Sequence, residues 1–262
     1  MKIDLKKPEQ IEKMKTGGEK LASILFALIA EVKIGDKLIE IEKKAWEGIE
    51  KQGGKPGFSL VDGYHWATCI NINEGIVHGI PTERVLEAGD IVSIDIGMFY
   101  KGFHTDMSYT FKLPGENKLE KNEQEITHFL AVGKQALEES LQQIRPGQRI
   151  GHISQKMQTI IEGNGYSCMR NLTGHGIGRK LHEYPPVPCF LNMPIEETLV
   201  LREGMTLAIE VLYAQGGWQN KTDEKDGWTI RTADGKISAV FEKTIAVSGD
   251  GCLILTPHLI KN

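Results

Sequence analysis

Four acidic residues stand inside strand-like stretches of this 262-residue chain, where carboxylates are uncommon. They are Asp95 in DIVSIDIGMFY, Asp106 in FHTDMSYTF, Glu210 in MTLAIEVLYA and Glu242 in SAVFEKTIAVS. A hairpin turn that pairs Tyr100 with Phe103 places Asp106 opposite Gly97 and diagonal to Asp95. Because side chains alternate along a strand, both carboxylates then share one face of the sheet. Like charges this close indicate a site that does chemistry.

Each acid also has a small neighbour on its own face of the strand, namely Gly97, Ser108, Ala208 or Thr244. Small side chains leave space for a bound group. A single acid in a strand is more often part of a solvated face. Four buried carboxylates, however, would repel one another and take up protons unless a cation compensated their charge. The acids therefore predict a cation site.

Three histidines lie in glycine-rich stretches that we predict to be loops. His78 is in NEGIVHGIP, just before a predicted strand, and His175 and His182 are in TGHGIGRKLHE. Flanking glycines let the backbone and a ligand approach closely. One such histidine would more often be structural, but three beside four acids favour a site. No HExxH, GxSxG or P-loop motif is present, which excludes those catalytic classes.

The elements that must position these residues follow an order of helices, strands, helices and strands. Pro8 and the apolar residues after it predict a long amphipathic helix, and a second helix begins at Leu38. A second helical pair covers about residues 121–143 and 150–163. This order indicates an α+β domain.

The two halves of the chain resemble each other. Residues 34–53 match residues 146–165 at a constant offset of 112, and residues 86–95 match residues 201–210 at an offset of 115. We expect residues 1–262 to form a single catalytic domain, with repeat halves at about 11–115 and 121–256. Sites tend to lie where two such halves meet.

Composition narrows the class of protein. Hydrophobic residues make up 40% and charged residues 25%, and the net charge of −4 gives no support to nucleic-acid binding as the main role. The N-terminal stretch has no signal-peptide core, and the longest apolar run, at 21–30, is too short for a bilayer. Four scattered cysteines favour reduced thiols in the cytoplasm, with a pair of disulfides as the alternative.

The ordered motifs NEGIVHGIP, VSIDIGMFYKGFHTDMS, TGHGIGRKLHE, MTLAIE and SAVFEKT resemble those of the type I methionine aminopeptidases, in their short bacterial form. The resemblance runs from about residue 11 to residue 256. It implies the pita-bread fold, in which pseudo-twofold duplicated halves form a curved antiparallel sheet flanked by helices. It also implies metal-dependent hydrolysis that removes the initiator methionine from nascent proteins when the second residue is small.

The resemblance further implies a role for each site residue. The metal ligands would be Asp95, Asp106, His175, Glu210 and Glu242, and would hold two divalent ions among cobalt, manganese, iron and zinc. Asp106 and Glu242 would bridge the ions. Glu210 would also move a proton when an activated water attacks the first peptide carbonyl. His182 would help to stabilise the oxyanion, and His78 would contact the scissile amide nitrogen.

The methionine side chain would occupy an apolar pocket. Tyr64, Cys69 and Trp228 match pocket positions of the family, whereas Phe58 and Leu181 depart from its usual residues at two others. Two further departures, Val211 and Lys243, follow Glu210 and Glu242 directly and remove no ligand.

The resemblance implies peptides and nascent chains with N-terminal methionine as substrates, transient contact with the ribosome, and a cytoplasmic monomer with no membrane or nucleic-acid partner. Two alternatives remain open. One is a Xaa-Pro aminopeptidase or prolidase of the same fold, which usually carries an additional N-terminal domain. The other is a metal-free binding module.

Overall fold

The structure of the chain, a computed structural model, describes residues 3–258. In this range the helices occur as two pairs, α1 (Pro8–Glu31) with α2 (Leu38–Lys51) and α3 (Glu123–Leu141) with α4 (Ile150–Gly163). Short 3₁₀ helices lie at Phe58–Leu60 and Ile195–Glu197. The strands are β1 (Lys55–Pro56), β2 (Thr68–Ile72), β3 (Gly75–Val77), β4 (Ile91–Tyr100), β5 (Phe103–Lys112), β6 (Ser167–Cys168), β7 (Thr173–Gly176), β8 (Glu183–Pro188), β9 (Thr206–Ala214), β10 (Asn220–Thr222), β11 (Ile230–Thr232), β12 (Ser238–Ser248) and β13 (Gly251–Ile254).

Local sequence signals explain where the long helices begin. Pro8 occupies the first turn of α1, and the side-chain oxygen of Gln10 accepts a hydrogen bond from the backbone N–H of Lys7 at 2.9 Å. The Asn122 side chain accepts from two backbone N–H groups in the first turn of α3. All four helices lie where the sequence predicts them. Across residues 3–258, none is both long enough and apolar enough to cross a membrane.

The strands form three antiparallel sheets. In the first, β4 pairs with β5 along one edge and with β2 and β1 along the other. The largest sheet has the order β13-β12-β9-β7-β8, with β6 paired to β9. The third joins β10, β11 and β3. Strands from both halves of the chain therefore meet in the middle of the molecule.

The hairpin between β4 and β5 has the predicted register. Tyr100 pairs with Phe103, so Asp106 lies opposite Gly97. Lys101 and Gly102 make the turn with φ values of 47° and 90°. Two consecutive positive φ values are typical of the tight turn that fixes a hairpin register.

The first and largest sheets meet along a seam between β5 and β12. Within residues 3–258, no backbone–backbone hydrogen bond joins these two strands; threonine hydroxyls bridge them instead. Thr244 Oγ1 accepts from Asp106 N at 2.8 Å and donates to Asp106 O at 2.7 Å. In the same way, Thr110 Oγ1 accepts from Val240 N at 3.0 Å and donates to Val240 O at 2.7 Å. The two bridges are reciprocal across the seam.

Helices cover one face of each large sheet. α1 packs on β4 and β5, and α3 packs on β9 and β12. At the second interface the fully buried Tyr213 stacks on Phe129 with 4.5 Å between the ring centroids, and its hydroxyl donates to Phe129 O at 2.6 Å. Gly133 makes room, because a Cβ there would lie 2.3 Å from the tyrosine oxygen. The opposite face of β9 carries Glu210.

Two predictions about the histidines were wrong. His175 lies within β7, which pairs with β8 on one side and β9 on the other, rather than in a loop. His78 directly follows β3 and precedes a long connection to β4, so it lies after a strand rather than just before one. Residues 1–2 and 259–262 of the predicted single domain lie outside the described range.

Candidate active site

A cavity of about 380 Å³ opens where strands from both halves of the chain converge. One part of its wall is acidic and carries histidines, and another part is aromatic and apolar. All twelve residues singled out from the sequence line it: Phe58, Tyr64, Cys69, His78, Asp95, Asp106, His175, Leu181, His182, Glu210, Trp228 and Glu242.

The carboxylates come from the four central strands. Asp95 on β4 pairs with Ser108 on β5. Asp106 lies two residues before Ser108 on the same strand, so it is a diagonal neighbour of Asp95. Glu210 on β9 lies directly opposite Glu242 on β12. Direct cross-strand partners such as Glu210 and Glu242 lie about 4.5–5.5 Å apart at Cβ, and diagonal neighbours such as Asp95 and Asp106 lie about 7–8 Å apart. Each pair of strands therefore brings two acids within reach of one bound group.

Three side chains could hold one ion together. One ligand atom from each of Asp106, His175 and Glu242 lies within 4.8 Å of the other two. His175 Nδ1 is 2.9 Å from the carbonyl oxygen of Gly176. With Nδ1–H donated to that carbonyl, Nε2 is left as a free acceptor, which is the usual arrangement of a metal-binding histidine. Nε2 also lies 3.5 Å from Glu210 Oε1.

Three buried carboxylate oxygens have no hydrogen-bond partner among residues 3–258: Asp95 Oδ1, Asp106 Oδ1 and Glu242 Oε1. A buried acceptor without a partner is costly, and a bound cation would satisfy all three. Oxygen ligands with one imidazole suit a divalent ion such as manganese, iron, cobalt or zinc. The residues present therefore fit divalent metal ions.

The pKa values agree with this interpretation. Burial raises the pKa of Asp95 to about 7. Burial, and then repulsion from the neighbouring carboxylates, holds the pKa values of Asp106 and Glu242 well above their usual range. Burial lowers the pKa of His175 to about 3, so its imidazole is neutral and its contact with Glu210 is not an ion pair. Without a bound metal ion, these carboxyl groups would hold protons, and a cation that binds there would displace them.

Two further histidines border the acids. The ring centroid of His182 lies 4.4 Å from that of His175, and the side chain stands exposed at the rim of the cavity. His78 is half-buried and has a φ of 58°, a strained value for a residue with a side chain. Burial lowers the pKa of both His78 and His182. Near neutral pH each is an uncharged donor or acceptor.

The apolar wall is built around Tyr64. Its ring packs edge-on against Trp228 and Phe58, at centroid distances of 5.1 and 6.4 Å. Its hydroxyl donates to Thr68 O at 2.8 Å. Phe58 lies flat over Gly97, where a Cβ would approach the ring to 2.5 Å. The result is a recess for an unbranched apolar side chain beside the carboxylates.

The two departures outside the pocket lie away from this cavity. Val211 is fully buried in the hydrophobic core beneath α3. Lys243 is half-buried and lines a separate cavity of about 50 Å³.

Some lining residues were missed by the sequence reasoning, namely Val61, Val77, Asn171, Leu172, Thr173 and Leu212. Leu212 could have been found, because it lies two positions from Glu210 on the same predicted strand. Thr173 could not, because its segment was predicted to be a loop. Asn171 and Leu172 belong to an irregular segment and carry no such signal.

Comparison with known proteins agrees with this geometry. The family described as "Metallopeptidase family M24" matches residues 12–249. The methionine aminopeptidase of Mycoplasma capricolum is 38% identical over 97% of this chain and 98% of its own length.

Among solved structures, the methionine aminopeptidase of Thermotoga maritima is 36% identical, with a TM-score of 0.91 over 97% of this chain and 99% of that one. The prolidase of Pyrococcus furiosus, at 22% identity and a TM-score of 0.75, shares the fold; this chain covers 66% of it. The predicted pita-bread fold and the divalent-metal hydrolase class are confirmed. This chain belongs to metallopeptidase family M24 and, within it, to the methionine aminopeptidases.

Proposed function

We propose that this chain hydrolyses the first peptide bond of polypeptides that begin with methionine, when the second residue is small. The observation that carries the proposal is that one cavity contains both a group of possible metal ligands and an apolar recess. Asp106, His175 and Glu242 form a group that fits a metal ion, and the recess around Tyr64 fits an apolar side chain.

In the proposed site, two divalent ions would be held by the side chains of Asp95, Asp106, His175, Glu210 and Glu242. The unpartnered carboxylate oxygens and the neutral imidazole of His175 support this assignment. When bound, two such ions acidify a water molecule and stabilise negative charge on a carbonyl oxygen.

The protein's own groups carry the proton and orient the substrate. Burial raises the pKa of Glu210 well above its usual range, which suits a carboxylate that accepts a proton from water and returns it to the leaving nitrogen. His182 donates a hydrogen bond to the carbonyl oxygen as it gains charge. His78 contacts the scissile amide nitrogen.

The recess selects the first side chain. Phe58, Tyr64, Cys69, Leu181 and Trp228 would surround an extended thioether without offering it a charge. Leu181 and Phe58 are buried, so they set the depth and width of the recess. A sulfur atom beside aromatic ring edges is a favourable contact.

We also propose that the substrates are nascent chains met in transient contact with the ribosome, and that the enzyme works as a cytoplasmic monomer. Four free cysteines support a reducing compartment. The net charge of −4 supports neither a nucleic acid nor a membrane as its main partner.

The test is methionine release from Met-Ala-Ser by metal-free protein to which manganese, iron(II), cobalt or zinc is added singly. We expect release with at least one ion and none without metal, while Met-Lys-Ser is left intact. Cleavage of Ala-Pro in preference to Met-Ala-Ser would instead support the prolidase alternative. A protein that binds no metal would support the binding module and contradict the proposal.

A His182→Ala variant separates catalysis from metal binding. We expect kcat to fall while metal content stays at the level of the unsubstituted protein. Unchanged kcat/KM would show that His182 does not stabilise the oxyanion.

A further inference from the structure

A lysine in the segment before α1 is almost completely buried. The Lys6 side chain is 1% exposed, although lysines are rarely buried without a partner. Its Nζ lies 2.5 Å from Glu183 Oε2 and also contacts Asp4. Lys6 and Glu183 are 177 residues apart in the chain, so the contact ties the first segment to the end of β7 and the start of β8.

The path of the lysine is shaped by the neighbouring backbone. Its own N–H donates to Gly204 O at 2.7 Å, which anchors the segment to the turn before β9. The side chain then crosses Gly178, where a Cβ would lie 2.2 Å from Lys6 Cε. A side chain at this position would displace the end of the lysine from its present path. The ammonium group therefore reaches Glu183 through a gap that the glycine leaves.

Glu183 also stabilises the segment 178–183 by a hydrogen bond to the backbone of the same segment. Its second oxygen, Oε1, accepts from Lys180 N at 3.1 Å, while Gly178 N donates to Lys180 O at 3.0 Å. Gly178 O accepts from His104 N at 2.7 Å. The segment is a tight turn fixed at both ends, and the buried ion pair lies at its end.

His182 is the residue just before Glu183. It belongs to neither a helix nor a strand, and its ring is exposed at the rim of the cavity. Across residues 3–258, no hydrogen bond to its ring is present. The direction of the ring into the cavity therefore depends on the backbone of segment 178–183 and on the edge-on contact with the ring of His175. A catalytic group misplaced by about 1 Å can lose about a hundredfold in rate.

We propose that Lys6 is a positioning residue for His182, acting through its buried ion pair with Glu183. The inference rests on the proposed function for its kinetic readout. Lys6 does not line the cavity, so its effect reaches the site through segment 178–183, which carries His182 and also Leu181. The double-mutant cycle below separates the part that depends on His182.

The test is a double-mutant cycle of Lys6→Met and His182→Ala. Methionine keeps the apolar stem of lysine and removes the charge. We expect Lys6→Met to lower kcat on Met-Ala-Ser by about tenfold, with little change in KM or metal content, in the otherwise unchanged chain. In the His182→Ala background we expect no further loss. An equal loss in both backgrounds, or no loss in either, would overturn the proposal.

Two further variants guard against a trivial explanation. Lys44→Met removes the exposed Lys44–Glu31 ion pair and is expected to leave activity unchanged. If Lys6→Met does not fold, Glu183→Gln takes its place in the cycle, because it keeps an acceptor for Lys180 N while weakening the bond to Lys6. It is expected to show the same dependence on His182.

A readout on the metal-free protein does not depend on activity. In the ¹H NMR spectrum, Lys6→Met is expected to shift the imidazole resonance of His182, assigned with His182→Ala, and to leave that of the exposed His65 in place. If the unsubstituted protein releases no methionine, the proposed function fails and this spectrum decides the inference alone. An unmoved His182 resonance would overturn it.

Discussion

Replacing Thr244 with valine tests the seam between β5 and β12 and the metal site together. Valine has nearly the shape of threonine but cannot make the two hydrogen bonds to Asp106 N and Asp106 O. Both backbone groups point away from β4, so no other strand can satisfy them. Each orphaned buried group costs about 1–3 kcal/mol, so we expect a loss of about 2–6 kcal/mol in the free energy of unfolding.

The same change releases the backbone that carries a proposed metal ligand. We expect metal affinity to fall by about tenfold, the size of effect seen when the support of a ligand is lost. The assays are thermal unfolding of the metal-free protein and titration of that protein with manganese. A loss of about 2–6 kcal/mol corresponds to a Tm lower by about 4–24 °C for a chain of this size.

Thr110→Val is the matched control. It removes the reciprocal bridge to Val240, and also a 2.7 Å contact with Ser93, but it touches none of the proposed ligands. We expect a comparable loss of stability with metal affinity close to that of the unsubstituted protein. Equal metal affinity in the two variants would refute the reasoning that the seam supports Asp106.

Three other predictions concern single groups. In metal-free protein the pKa of Asp95 is raised to about 7 from about 4 in the unfolded chain, so the folded state binds the extra proton and stability falls as pH rises through this window. Thermal unfolding of metal-free protein at pH 5 and pH 8 with a chelator should show that Asp95→Asn makes the dependence of stability on pH less negative, while the other carboxylates and the histidines still contribute; equal slopes in the two proteins would contradict the prediction. Phe58→Ala should widen the recess, so that the kcat/KM of Phe-Ala-Ser relative to Met-Ala-Ser rises by about tenfold. An unchanged ratio would show that Phe58 does not limit the size of the recess. Buried Glu42 accepts from the backbone N–H groups of Ala67 and Thr68 at 2.6 and 2.9 Å, so Glu42→Gln should lower the free energy of unfolding by about 1–3 kcal/mol, measured by urea denaturation. A stability unchanged in Glu42→Gln would show that an amide replaces the carboxylate without cost.

Local rules were enough to predict the part of the site that lies on β4 and β5. The two-residue turn after Tyr100 fixes the register, and alternation along the strands then sets the faces of Asp95 and Asp106. The four helices were predictable for the same reason, because their caps and apolar spacing are local signals.

Contacts between distant segments could not be predicted in this way. TGHG has a single β-branched residue, Thr173, and two glycines, which are uncommon in strands, and His175 lies in β7 because β8 and β9 supply partners on both sides. Gly174 is needed there, since a Cβ would lie 2.4 Å from Ala208 O. The packing of Phe58 on Gly97 and the ion pair of Lys6 likewise depend on the folded chain.

The predicted internal duplication stays a prediction, although the reciprocal threonine bridges support it. Thr110 lies four residues after Asp106, and Thr244 lies four residues after Val240, so each strand presents the same pair to the other. Two copies related by a twofold axis would meet in this way.

The seam gives the metal a mechanical role. Asp106 lies on one side of it and Glu242 on the other, so ions held by both proposed ligands would link two sheets that no backbone ladder joins directly in the described range. The ions would add a link across the seam to the backbone pairing of β3 with β11, which already joins the two halves. We expect that a chain cut between β5 and α3, within residues 114–121, would give fragments whose reassociation strengthens with the concentration of divalent metal.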